Sequence, residues 1–174
     1  MPPRITIIPA GDLPDDLRAT LTRWQRANFP DPATDPFVWE KPEWQVFVFV
    51  GDEPVSALGI HRRTATVNGQ PVYLGGIGSV DTPAEHRRQG YSTAALRQAA
   101  AFMRDTIGAD FGLLVTGKNL IPFYGRLGWQ AVRGPTWCDH PRRGRVILPH
   151  VVMVLPLTGR AWPDGDIDLC GLPW

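Results

Sequence analysis

The sequence predicts a mixed α/β fold in which helices pack on a central sheet. Short β-branched and aromatic runs, typical of strands, alternate with segments whose apolar residues recur every three to four positions, which is typical of helices. These segments follow the order β-α-β-β-β-α-β-α-β, which favours helices layered on a sheet. Eighteen glycines and eighteen prolines stand between the segments as turn signals. We expect a single domain over residues 1–174.

The first half of the chain is predicted to form four strands and one helix. Leucines and a tryptophan recur at helical spacing in Asp12–Ala27, with Asp12 as the expected cap. The dipeptide Asn68-Gly69 favours a tight hairpin, so the strands after the helix should form an antiparallel meander. Residues 29–42, rich in proline and aspartate, are expected to form an ordered loop or short helical turns beside a substrate cleft. The predicted strands are Ile5–Ile8, Gln45–Val50, Pro54–Val67 and Val72–Val80.

The second half is predicted to contain two helices and two strand regions. A helical period runs through Tyr91–Arg104, and Gly108 is expected to end this helix. Phe111–Thr116 reads as a short buried strand. A brief helix over Leu120–Leu127 and a strand region over Val146–Leu157 complete the predicted order.

Composition argues against several classes of function. A formal charge of +1 gives no field suited to nucleic acid or an anionic membrane, and the apolar runs are far shorter than the roughly 20 residues of a bilayer span. Residues 1–4 do not resemble a signal peptide. Cys138 and Cys170 lie far apart, which predicts buried free thiols in a reducing, cytoplasmic compartment. The four histidines lack metal-ligand spacing, so no metal is expected.

Glycines interrupt one predicted strand at Gly75, Gly76 and Gly78. Interior glycines weaken a strand because they offer no side chain for packing, so another group should occupy the space. We expect a ligand to approach this backbone closely. A bulge or a tight sheet crossing is the alternative.

A basic turn leads into the helix that begins at Tyr91. Arg87 and Arg88 precede Gly90, and the small residue Ser92 lies in the first helical turn. A helix start offers unpaired N–H groups and a partial positive charge, which suit a phosphate or diphosphate. Arginines would add charge-assisted contacts. The same features also fit a solvated basic loop.

Two motifs together make the chain similar to the GNAT (Gcn5-related N-acetyltransferase) superfamily. Arg87-x-x-Gly90-x-Ser92, preceded by Val80-x-Thr82, resembles its acetyl-coenzyme A (acetyl-CoA) signature, although Ser92 replaces the usual glycine or alanine. The stretch 119–129, Asn-Leu-Ile-Pro-Phe-Tyr-Gly-Arg-Leu-Gly-Trp, resembles a second motif of this superfamily, with proline in place of an alanine. The resemblance implies a GNAT fold, a mixed and mostly antiparallel twisted sheet flanked by helices.

The resemblance also implies the site and its co-substrate, acetyl-CoA. Tyr124 is the expected general acid toward the departing thiolate, and the backbone of Val80 is expected to polarise the acetyl carbonyl. The base that receives the amine proton stays open among Asp81, Glu85, His86 and His61. The implied cofactor-binding residues are Val80, Thr82, Arg87, Arg88, Gln89, Gly90, Tyr91, Ser92 and Asn119.

The segments 128–136 and 154–174 resemble the aminoglycoside 2′-N-acetyltransferases. That branch binds polycations through carboxylates, but the matching places here hold Gly78, the basic stretch 142–145 and Leu172. Only the terminal carboxylate of Trp174 remains, so Gly78 and Trp174 are the expected substrate-binding positions. We expect a less cationic small-molecule amine, with a carboxylate or phosphate that meets the basic loop, which includes Arg142, Arg143 and Arg145.

Two other functions stay open. Acids of the early loop could restore negative charge to the cleft and so permit aminoglycoside acetylation; they are Asp31, Asp35, Glu40 and Glu43. A non-catalytic acyl-CoA-binding module is the other alternative, and Tyr124 argues against it. The sequence also leaves a homodimer open.

Overall fold

A ten-stranded sheet forms the centre of the structure, a computed structural model that describes residues 2–174. Three helices accompany it, α1 (Asp15–Asn28), α2 (Tyr91–Phe102) and α3 (Ile121–Gly125). The strands are β1 (Arg4–Pro9), β2 (Trp44–Val50), β3 (Glu53–Val67), β4 (Gln70–Asp81), β5 (Phe111–Thr116), β6 (Gln130–Ala131), β7 (Thr136–His140), β8 (Gly144–Ile147), β9 (Val151–Pro156) and β10 (Ile167–Asp168).

The sheet is mostly antiparallel, and the expected fold class is confirmed. Its strand order is β6-β9-β5-β4-β3-β10-β7-β8, with β2 also on β3 and β1 on β2. The strands β2, β3 and β4 form the predicted meander, and positive φ angles of 47° at Asn68 and 76° at Gly69 close its hairpin. Strand β4 pairs in parallel with β5 through the connection that contains α2.

Alternation along the strands divides the core between two faces of the sheet. The α2 face is covered by α2 and α3, where Leu96 and Met103 pack with Ile60 and Ile77. The α1 face is covered by α1 at one end and by the C-terminal segment 169–174 at the other.

Helix boundaries differ from the prediction for all three helices, and α3 covers Ile121–Gly125 rather than the expected Leu120–Leu127. Helix α1 begins at Asp15 rather than Asp12, and residues 10–12 form a 3-10 turn. The reason is Pro14, which holds Leu13 in the extended region at ψ 123°, so that Asp12 cannot cap the helix. Helix α2 ends at Phe102 and continues as a π-helical turn to Ile107, after which Gly108 stops it at φ 74°, as predicted.

The strand region predicted over 146–157 is two strands. Strand β8 ends at Ile147 and β9 begins at Val151, because Pro149 between them has no N–H for a ladder. Strands β6, β7 and β10 were not predicted: β6 and β10 have two residues each, which carry no periodicity, and β7 covers only Thr136–His140. Of the two free cysteines, Cys138 is buried as expected, but Cys170 is exposed. None of the helices in residues 2–174 has the length and apolar character to span a bilayer.

The glycine-rich strand is filled by the chain itself, so the expectation of a ligand at these glycines was wrong for Gly75 and Gly76. A Cβ at Gly75 would overlap the side chain of Met103, and one at Gly76 would overlap the indole of Trp174. Trp174 is 5% exposed, and its Nε1 donates to the carbonyl of Leu113 at 3.1 Å. The strand therefore packs closely on both faces.

We predict that Gly76→Ala destabilises the protein by about 1–3 kcal/mol, because the added methyl group overpacks against the indole of Trp174. Urea unfolding measures the change. Gly11→Ala is the matched control, since nothing lies within 4 Å of a Cβ at Gly11. The same substitution should cost less in a Trp174→Ala background; an equal cost in both backgrounds would contradict this explanation.

Candidate active site

The strands β4 and β5 separate at one edge of the sheet. Their parallel pairing ends at Ile77 and Leu114, although β4 continues to Asp81 and β5 to Thr116. Beyond this point β4 pairs only with β3, and β5 only with β9. The carboxyl ends of two adjacent parallel strands thus border a gap, which is where α/β folds commonly bind ligands.

A β-bulge lies in β4 beside this gap. Gly78 is opposite Gly59 and Asp81 is opposite Ala57, so that β4 has one residue more than β3 between these pairs. Ser79 takes a φ of 49°, which non-glycine residues rarely adopt. Ser79 and Val80 have no register partner on β3 or β5. Val80 therefore lies at the bulge, beyond the point where the pairing of β4 with β5 ends.

The turn that follows β4 presents a row of unpaired amides. Within residues 2–174, the backbone N–H groups of residues 88–93 have no acceptor, and the first helical bond runs from Ala94 to Gly90. Positive φ angles of 64° at Arg88 and 85° at Gly90 shape the turn. These amides and the helix dipole form a site suited to an anion.

Arg87 braces this turn from behind. Its Nε donates to the carbonyl of Thr82 at 2.9 Å, and its Nη2 donates to Oδ1 of Asn28 at 3.2 Å. The Asn28 amide in turn donates to Asp81 Oδ1 at 2.9 Å. The Thr82 hydroxyl lies 2.8 Å from that of Ser56. Arg87 thus links α1 to the turn, whereas the exposed Arg88 forms no ion pair within residues 2–174.

The other predicted cofactor residues border the same gap. The Gln89 amide donates to the carbonyl of Glu85 at 3.3 Å, and its oxygen accepts the Tyr91 hydroxyl at 3.1 Å. Across the gap, the exposed Asn119 follows β5, and its side chain lies over Gly117. Neither end of the Asn119 amide forms a hydrogen bond within residues 2–174, which leaves it available to a bound molecule.

Tyr124 lies on α3, at the carboxyl end of β5. Its ring is buried against Trp129 and Phe123 in edge-on contacts. Its hydroxyl forms no hydrogen bond within residues 2–174, but it is not sealed from solvent either. Burial raises the pKa of Tyr124 to about 12, so the phenol keeps its proton at neutral pH.

The α1 face beside the bulge is occupied by His61. Its ring stacks on Trp174 with centroids 5.5 Å apart, and its Nε2 would lie 3.0 Å from a Cβ at Gly78. Burial, with a smaller contribution from Arg63, lowers the pKa of His61 to about 3, which keeps the imidazole neutral. Gly78 therefore makes room for His61, and Trp174 supports that ring.

The other three candidates for the base are less well placed. Asp81 is buried, its Oδ2 has no partner, and burial raises its pKa. This carboxyl faces Asn28 inside the protein rather than the gap. His86 pairs with Glu53 at 3.4 Å. Glu85 is exposed in the turn that precedes α2.

Acidic residues of the early loop are engaged by the chain itself. Glu43 pairs with Arg62 at 3.0 Å, and Glu40 pairs with Arg63 at 3.2 Å. Asp35 accepts hydrogen bonds from the Phe37 backbone and the Trp39 indole, and Asp31 from the Ala33 backbone. Glu40 and Glu43 are therefore compensated by arginines, whereas the carboxylates of Asp31 and Asp35 accept only from neutral N–H groups and form no ion pair within residues 2–174.

One arginine of the predicted anion-binding loop is also engaged. Arg145 pairs with Asp168 at 2.7 Å and lies over the Trp137 ring. The backbone amides of Arg142 and Arg143 donate to His140 Nδ1.

Asn28 and Ser56 are residues of the site that the sequence did not indicate. Their partners lie more than 20 positions away along the chain, and no motif marks such a contact.

Comparisons with known proteins agree with this geometry. A family model described as an acetyltransferase (GNAT) domain matches residues 21–132. Among solved structures, Escherichia coli ElaA superposes with a TM-score of 0.65 at 14% identity, over 88% of this chain and 99% of that one. An acyl-CoA N-acyltransferase from Pseudomonas aeruginosa superposes with a TM-score of 0.61 at 17% identity, over 88% and 99%.

A third similar structure is the GNAT family N-acetyltransferase YhbS from Escherichia coli, solved in complex with CoA. It superposes with a TM-score of 0.64 at 14% identity, over 96% of this chain and 89% of that one. At these identities the likeness shows a shared fold. No curated protein sequence matches the chain. Because the family model spans well over half of the chain and the fold agrees with it, the protein belongs to the GNAT acetyltransferase family.

Proposed function

We propose that the protein moves the acetyl group of acetyl-CoA directly to the primary amine of a small molecule. The observation that carries this proposal is the row of unpaired amides at residues 88–93, at the sheet edge where β4 and β5 separate. A diphosphate needs several N–H donors, and these six have no other partner among residues 2–174. A thioester arm needs a slot beside strand backbone, and the gap supplies one.

In this proposal, residues 88–92 hold the diphosphate and Asn119 pairs with the pantetheine arm. Arg88 adds positive charge at the turn, while Arg87 stabilises the shape of the turn through its hydrogen bond to the carbonyl of Thr82. The backbone of Val80, which has no register partner at the bulge, is suited to pair with the thioester end and to polarise its carbonyl. The amine nitrogen forms a bond to the carbonyl carbon, the carbon–sulfur bond breaks, and the thiolate leaves with a proton.

We assign the delivery of that proton to Tyr124. A phenol with a pKa of about 12 is a weaker acid than an alkyl thiol with a pKa near 8.5. This difference in pKa opposes full proton transfer from Tyr124 to the thiolate by about 5 kcal/mol. Desolvation between β4 and β5 also raises the pKa of the CoA thiol, which narrows the difference between the two pKa values. Tyr124 therefore acts first as a neutral hydrogen-bond donor to the developing thiolate.

The amine is proposed to approach from the α1 face, where Nε2 of His61 is available beside Gly78. A neutral imidazole can accept a hydrogen bond from the amine N–H and so direct its lone pair toward the gap. With a pKa of about 3, His61 does not retain the proton, which passes on to water. His61 is thus a positioning group, and no strong base is required of it.

The charges around the cleft favour an acceptor that is not a polycation. Glu40 and Glu43 are already paired with arginines. An aminoglycoside would lose charge-assisted hydrogen bonds of about 1.5–3 kcal/mol each at the missing carboxylates. A non-catalytic acyl-CoA module would not need the free hydroxyl of Tyr124. Neither alternative is favoured by an observation of its own.

We predict that Ser92→Asp weakens CoA binding by about 5- to 150-fold while leaving α2 as stable or more so. A carboxylate in the first helical turn favours the helix dipole but repels a diphosphate, by about 1–3 kcal/mol at ~5 Å. Calorimetry with CoA and thermal unfolding measure the two effects. Ser92→Ala is the matched control and should bind CoA nearly as the parent does. Unchanged affinity in Ser92→Asp would place the diphosphate elsewhere.

Thiol release from acetyl-CoA with a panel of small primary amines tests the function itself. Tyr124→Phe should lower kcat by about 10²- to 10⁴-fold because the proton donor is lost, with the CoA dissociation constant nearly unchanged. Phe123→Leu, which removes a neighbouring ring but no donor, is the control. Equal turnover by the parent and Tyr124→Phe would remove Tyr124 from the mechanism.

The pH profile provides a separate check. Since the pKa of Tyr124 is raised to about 12, its protonated form persists and the rate should rise with amine deprotonation and not fall before pH 10. Initial rates between pH 6 and 10, corrected for spontaneous thioester hydrolysis, measure this. A fall with an apparent pKa below 10 that disappears in Tyr124→Phe would contradict the raised pKa.

A further inference from the structure

A cavity of about 390 Å³ lies at the carboxyl end of β5, beside the start of α3. Its walls come from three parts of the chain. Lys118 and Ile121 follow β5, residues 131–136 run from the end of β6 to the start of β7, and Leu148 and residues 150–152 lie before and at the start of β9. Its volume is within the range of small-molecule sites, and Val132, Leu148 and Val151 give it an apolar lining.

The charge around this cavity has one sign. Lys118 and Arg133 line it, and none of its twelve lining residues is an aspartate or a glutamate. Lys118 and Arg133 are exposed and have no carboxylate partner within residues 2–174. By contrast, Arg62 and Arg63 near the cleft are both paired with glutamates. The cavity thus carries positive charge that the protein does not neutralise.

The cavity is adjacent to the proposed transfer site. Ile121 begins the helix that carries Tyr124 one turn later. Thr116 of β5 pairs with Val151 of β9, so the cavity lies at the sheet edge where β4 and β5 also separate. Two strand spacings separate the paired parts of β4 and β9, which is about 10 Å. A small molecule can span this distance.

His150 joins the cavity to the early loop. Its ring packs edge-on against Trp39 with centroids 5.5 Å apart, and against Phe37 at 5.9 Å. The same loop reaches the α1 face, where the Glu40 carboxylate pairs with Arg63 and its backbone N–H donates to the carbonyl of Pro173. The early loop therefore forms a continuous wall from the α1 face of β4, where the amine is proposed to approach, to the cavity.

We propose, on the basis of the proposed function, that this cavity binds an anionic group of the acceptor. The acceptor would be a small amine that carries a carboxylate or a phosphate about 10 Å from its nitrogen. Lys118 and Arg133 pair with the anion, and the apolar wall contacts the connecting carbon chain. This arrangement replaces the loop of Arg142 and Arg145 as the anion site, since Arg145 is already paired with Asp168.

The test compares matched acids and amides as ligands of the full chain saturated with CoA. By calorimetry, 8-aminooctanoate, whose extended chain places the carboxylate about 10 Å from the nitrogen, should bind at least about tenfold more tightly than 8-aminooctanamide, because a charge-assisted hydrogen bond is worth that much or more. The ester 5-aminopentyl phosphate, compared with 5-aminopentanol, distinguishes a phosphate site from a carboxylate site. Either anion preference supports the cavity; equal binding within both pairs overturns it.

Variants of the cavity test whether Lys118 and Arg133 cause the preference for acids over amides. Lys118→Ala with Arg133→Ala should reduce the ratio between acid and amide to near one, and each single change should reduce it in part. The CoA dissociation constant and thermal unfolding report whether the variant still folds. Arg142→Ala, which removes an unpaired cation outside the cavity, is the matched control and should keep the ratio. A ratio that survives the double change, or that Arg142→Ala abolishes, overturns the proposal.

Binding and turnover separate this proposal from the proposed function. If the chain binds the acids selectively but releases no thiol with any amine, acetyl transfer to small amines is wrong and the anion site stands. If thiol release is efficient but acids and amides are equivalent in binding and in kcat/KM, the anion site alone is wrong.

Discussion

The end of the β4–β5 pairing after Ile77 and Leu114 is the constraint on which the site depends. Two adjacent parallel strands normally satisfy each other's backbone groups. Beyond this point, β4 pairs only with β3 and β5 pairs only with β9. The bulge at Ser79 adds one residue to β4 and leaves Val80 without a register partner there. Because both strands end at the same edge, the turn before α2 and the helix of Tyr124 are brought to the two sides of one gap.

The closely packed middle of the sheet supports this open end. Trp174 and Met103 occupy the space that Gly76 and Gly75 leave on opposite faces, so β4 is held firmly up to the point where it separates. The same tryptophan supports the His61 ring beside Gly78. Burial then keeps that imidazole neutral. Core packing and the proposed acceptor side are therefore built from the same residues.

Electrostatics gives the site two regions of different character. Acids near the cleft are compensated by Arg62 and Arg63, and the neighbouring cavity has unpaired cations in Lys118 and Arg133. A co-substrate diphosphate and an anionic acceptor would then each meet positive groups, at opposite sides of β5. This distribution is compatible with a net charge of only +1, because the chain has nearly equal numbers of acidic and basic residues, which differ only in where they are paired.

The sequence by itself determined the mixed sheet, the meander, the α2 boundary at Gly90 and the motif that places Tyr124, because these depend on local periodicity, turn chemistry and spacing. It did not determine what fills the space at Gly76, which the structure assigns to Trp174, 98 positions later. Nor did it show that Arg87 braces the turn through Asn28, or that Arg145 is paired whereas Arg133 is not. Such contacts join residues distant along the chain, so only tertiary packing decides which side chains are used internally and which remain free for a ligand.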